Sequence, residues 1–107
     1  MGESSEAIRA RVQAARNIQL ARFSTIESSN IVANADMRVG EIRQFCKLQD
    51  EGQSLMRAAM KQLNLSARGY HRVLKLARTI ADLAGSEDIR AAHLAEALQY
   101  RPKLMVG

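Results

Sequence analysis

Apolar residues recur at helical spacing along most of the chain, and the cleanest stretch lies between Ser66 and Gly85. Tyr70, Val73, Leu74, Ala77, Ile80, Ala81 and Ala84 fall within about a third of a helix circumference at roughly 100° per residue. Arg68, His71, Arg72, Lys75 and Arg78 take the other side. Ser66 is placed to cap the start of this helix, and Gly85 to stop it in a left-handed conformation.

The same period runs through the rest. The spacing predicts a helix from about Ser5 to Phe23, with Ile8, Val12, Ala15, Ile18 and Phe23 turned inward. Arg9, Arg11, Arg16 and Arg22 then form a solvated face. Ser24 to Asn30 is polar with no helical pattern, and a flexible linker is read over about 24–33. A short helix over Val39 to Leu48 would bury Ile42 and Phe45. Asp50 with Gln53 three residues on resembles a capping box for a further helix, in which Met56, Met60 and Leu63 repeat on one side. Asn64 breaks it. A last helix starts near Arg90 or Ala91 and ends before Pro102, with Ile89 and Leu94 spaced as a hydrophobic staple. The pattern is an all-α bundle of four to five helices forming a single domain over 1–107, its core spanning about 5–101, without a repeat or a convincing strand.

Composition narrows the function more than the fold. Sixteen Lys and Arg against eleven Asp and Glu leave a formal charge of +5, which favours a polyanion or an acidic protein face as partner. One cysteine cannot form an internal disulfide, in keeping with a reducing, cytoplasmic setting. No apolar run approaches the roughly 18 residues needed to cross a bilayer, so no membrane partner is expected.

Catalytic chemistry is sparse. His71 and His93 are far apart, and Cys46 has no neighbouring Cys or His, so no metal site is expected. Cys46 reads as a small core residue; Asp82 and Glu96 read as surface carboxylates. No phosphate-binding loop of the GxxxxGK[ST] type occurs, so this chain alone should not hydrolyse ATP.

Arg68 stands out. It sits in the first turn of its helix, where the helix dipole disfavours a cation by about a few tenths of a kcal/mol. A nearby anion would reverse that penalty. Gly69 beside it leaves the helix end open. The alternative is a helix-turn-helix DNA-binding domain, since the helix ending at Leu63, a turn at Asn64 and a basic helix could address a major groove. Against it, Met60 is bulky where a close helix crossing wants a small residue.

Larger strings carry a resemblance. "LNLSARGYHRVLKLARTIADLAGSEDIRAAHLAEALQYRP", Leu63 to Pro102, resembles the end of the Mg-chelatase-like AAA+ ATPases, in their competence-associated branch. "NADMRVGEIRQFCKLQDEGQSLMRAAM", Asn34 to Met60, is similar to the segment before it. The resemblance implies a C-terminal lid domain, a fragment of a larger ATPase whose core binds ATP with Mg. No cofactor is expected for the fragment alone. It implies that Arg68, in "SAR", is the second-sensor arginine that contacts the terminal phosphates, with Ser66 beside it mainly as helix cap. It also implies partners: the ATPase core of the same chain, a homo-oligomeric ring (a hexamer), and DNA as the material on which the parent motor acts. Arg72, Lys75 and Arg78 are then candidates for contact with DNA or a neighbouring subunit.

Overall fold

The computed structural model describes residues 4–24 and 33–100. Five α-helices appear: α1 (Ser5–Ser24), α2 (Val39–Phe45), α3 (Asp50–Leu63), α4 (Ala67–Leu83) and α5 (Ala91–Gln99), with a 3₁₀ turn at Asn34–Asp36 before α2. The all-α expectation holds. Among the described residues the sole β feature is an isolated parallel bridge between Leu48 and Ile89, which ties the loop before α3 to the loop before α5. The expected linker falls mostly on 25–32, outside the described residues.

α4 is the central post. It packs against α5, α1, α2 and the 3₁₀ turn. Val73, Ala77 and Ala81 on it are fully buried, as are Leu94 and Ala97 of α5 and Ile89 just before it. Ala at three of these sites lets neighbouring helices approach, and the larger Met56, Ile89 and Leu94 fill the remaining space. Gly52 in the first turn of α3 serves the same end: a Cβ there would lie 3.0 Å from Leu94 Cδ1. Phe23 and Phe45 join α1 to α2 edge to face, with ring centroids 5.5 Å apart.

The helix ends follow local chemistry. Asn64 takes φ 53° and halts α3, and the Ser66 hydroxyl accepts from the Gly69 amide at 3.0 Å to open α4. At the other end Gly85 adopts φ 71°, with Ser86 N–H donating to Ala81 O and Gly85 N–H to Asp82 O. That pair of bonds is a Schellman stop. Ile89 and Leu94, the staple pair, are 1% and 0% exposed.

Four expectations are corrected. α2 ends at Phe45 rather than Leu48, because Leu48 is drawn into the bridge with Ile89. Asp50 lies inside α3 and caps nothing; Gln49 occupies the cap position and the Gln53 amide donates to Leu48 O at 2.9 Å. Leu63 is exposed, since the chain turns away at Asn64 before anything covers it. In α1, Ala15 and Phe23 are buried but Ile8, Val12 and Ile18 are exposed, because α4 meets only its C-terminal half.

Candidate functional site

The first turn of α4 is where the sequence places its chemistry. Ser66 is exposed, its hydroxyl occupied by Gly69 and its carbonyl accepting from Tyr70 N–H at 2.9 Å. Ser66 therefore caps the helix through its hydroxyl oxygen, which leaves its O–H as a donor. Arg68 follows two residues later, exposed, and no described residue pairs with its guanidinium. A cation at this end has neither a carboxylate nor the helix dipole to hold it. Its five donors are unpaired among the described residues.

A groove of about 450 Å³ opens beside this turn, between α2, α3 and α4. Cys46, Met56 and Leu74 form its floor, and Arg43, Arg57 and His71 line it as well. His71, placed by the sequence on the charged side of its helix, is half-buried here. Burial pushes the Cys46 thiol up to about 11, with Arg78 the chief opposing influence. Cys46 is thus a core residue.

The basic stripe along α4 breaks up on folding. Arg72 and Lys75 are half-buried beside a shallow cleft, and Lys75 Nζ donates to Ala35 O at 3.2 Å. Arg78 leaves the surface altogether. It is 5% exposed, and donates to Ser86 O and Glu87 O at 2.9 Å each and to Phe45 O at 3.4 Å. Phe45 ends α2, so Arg78 brings a cation to that helix's negative pole. Burial lowers the Arg78 pKa, and the Asp82 carboxylate works against that effect. Arg78 as a contact for DNA or a subunit is therefore corrected: its Nη1 and Nη2 are engaged inside the domain and its Nε is buried without a partner.

Asp82, read as a surface charge, is 2% exposed and forms the hub of a buried cluster. Arg22 clamps it bidentately at 2.7 and 2.8 Å, and Arg78 reaches Oδ1 at 3.2 Å. Asn34 donates to Oδ2 at 2.8 Å and to Thr79 Oγ1 at 3.1 Å, while its own oxygen accepts from Arg22. The Gln19 side chain accepts from Asn34 N–H at 2.9 Å. Arg22, expected on a solvated face, is thus drawn in. These groups fasten α1 and the 3₁₀ turn to α4. The sequence did contain one clue, Asp82 four residues after Arg78; Arg22 and Asn34 gave none.

The helix-turn-helix alternative is weakened. From Gly69 to Leu83 every position of α4 is buried or half-buried, packed by α1, α2, α5 and the 3₁₀ turn. That leaves little of it to enter a major groove. Among the described residues no three His, Cys, Asp or Glu side chains converge as metal ligands, and no helix is long and apolar enough to cross a membrane.

The model of the family described as magnesium chelatase, subunit ChlI C-terminal, matches residues 2–101. The chain belongs to that family. Relatives agree. Competence protein ComM of Haemophilus influenzae is 44% identical over 100 residues, 94% of this chain but 18% of that protein. YifB of Escherichia coli is 43% identical with the same coverage, and YifB of Salmonella typhimurium 36%. The chain thus spans under a fifth of the length of these relatives, and is the C-terminal domain of a Mg-chelatase-like AAA+ protein.

Proposed function

We propose that this domain is the lid of an ATPase, closing over ATP and Mg bound by a core that precedes it, with Arg68 as its second-sensor arginine. The observation that carries this reading is the placement of Arg68: first turn of α4, exposed, with no partner among the described residues, and held in direction by the Ser66 cap. Arginine presents a planar fork of donors that matches phosphate oxygens. Such a group can stabilise charge developing on a γ-phosphate and, when that phosphate leaves, release the lid. A rigid helix post makes the arginine's position depend on the whole domain, so loss of the phosphate can move the domain as a body.

The parent is then a motor working as a homo-oligomeric ring, a hexamer, in the cytoplasm. The printed name of the Haemophilus influenzae relative, a competence protein, and the net charge of +5 favour DNA as its material. Arg72 and Lys75, half-buried on α4, are the members of its stripe offered as contacts for DNA or a neighbouring subunit. The test is Arg68→Ala in the long protein. ATP turnover should fall by about 100-fold or more, as for removal of one transition-state donor, while the circular dichroism of the domain stays unchanged. Unaltered turnover sinks the reading.

A further inference from the structure

α1 is 20 residues long, yet among the described residues none of its first half is buried. Every residue from Ser4 to Ala14 is exposed, a length of about 15 Å at 1.5 Å per residue. The exposed half is not a polar overhang. Ile8 and Val12, 44% and 38% exposed, lie on the same face as Ala15, Gln19, Arg22 and Phe23, all within an arc of about 100° at 100° per residue. The lower part of this face carries buried Ala15 and Phe23, and is tied to α4 and the 3₁₀ turn by the Arg22–Asp82 pair and the Gln19–Asn34 bond. The apolar stripe simply continues past the end of the bundle. A solvent-facing helix would change to polar residues at that point.

We infer that the Ile8–Val12 stripe of α1 docks on the core domain that precedes it in the same polypeptide. Two facts select this occupant. The family is C-terminal and the chain matches only 18% of its relatives' length, so the remaining bulk precedes α1 and joins the chain at this helix's free end. The charge around the stripe also narrows the partner surface: Arg9 and Arg16 border it, and Glu6 is the sole acid in the helix. The core should therefore present an apolar patch with acidic residues around it. In this arrangement α1 is a strut, seated on the core by one half and on α4 by the other, so movement of the lid is transmitted along a continuous helix. The inference rests on family membership and not on the role of Arg68.

Single cysteines at Ile8→Cys, Val12→Cys and Ala10→Cys in the long protein test it, with alkylation by iodoacetamide followed at each site by peptide mass spectrometry. Ala10 lies on the opposite, exposed face and serves as reference. Native Cys46 is 3% exposed and stays silent. Sites 8 and 12 should react at least tenfold more slowly than site 10 in the native protein, equally fast in denaturant, and keep their protection on dilution to monomers. Reaction at 8 and 12 as fast as at 10 overturns the inference. So does protection that vanishes on dilution, which would place a second copy or a neighbour's core on the stripe. The readout needs no nucleotide, so its failure leaves the Arg68 reading intact, and the converse holds too.

Discussion

Arg68 and Arg78 stand on one helix ten positions apart and live in opposite worlds. Arg68 is exposed at the positive end of α4, with no described partner. Arg78 is 5% exposed, engaged with three backbone carbonyls and the Asp82 carboxylate. One is paired by the fold; the other has no partner among the described residues. The contrast teaches that a row of like charges on a helix is not one feature. Each member must be assigned by what the neighbouring elements bring to it.

The largest effect should come from removing the shared carboxylate. Asp82→Ala strands two guanidiniums in the interior, and breaking a buried pair costs about 3–5 kcal/mol. Urea unfolding of the domain should show the loss, and a change under about 1 kcal/mol would mean that the cluster is not needed for stability. Asn34→Ala removes a donor to Asp82 and an acceptor for Arg22, leaving both less satisfied at a cost of about 1–3 kcal/mol. Gly85→Ala tests the end of α4, where φ 71° penalises any side chain by about 1 kcal/mol. Calorimetric melting would register the drop.

Smallest, and most informative beside these, is Arg68→Ala measured for stability alone. Its effect should stay within about 0.5 kcal/mol, tending to stabilise because a cation leaves the positive helix pole. A loss comparable to that of Asp82→Ala would show Arg68 to be structural and erase the contrast. A pH dependence sharpens the description of the core. The folded Cys46 pKa is raised from 9.0 to about 11, so its contribution is full below about pH 9. It is lost as pH rises from there towards 11. Cys46→Ala should flatten the stability profile over that window, after correction for its own effect at neutral pH.

Much of the architecture was legible because it is short-range. The Ser66 cap, the break at Asn64, the Gly85 stop and the Ile89–Leu94 staple each involve residues within about five positions of one another, and the structure bears out each. Periodicity likewise identified most of the inner face of α4, though Ala84 at its end is exposed and Arg78, placed on the other side, is buried. It failed for α1, where Ile8, Val12 and Ile18 were read as core. An amphipathic pattern says that a face is covered, not by which molecule. For the candidate site, the position of Arg68 in the first turn was visible in the sequence, whereas its lack of a partner was not.

The sequence by itself determined that the chain is a helical bundle, where most of its helices begin and end, and which family it resembles. These rest on local backbone preferences and on strings of residues that need no neighbour to be recognised. Only the tertiary structure decided which charges are interior. Asp82 meets Arg22 across 60 positions and Asn34 across 48, and no local pattern encodes such a meeting. A carboxylate on a helix is solvated until another helix arrives carrying its counter-charge, and that arrival is set by how the apolar faces pack.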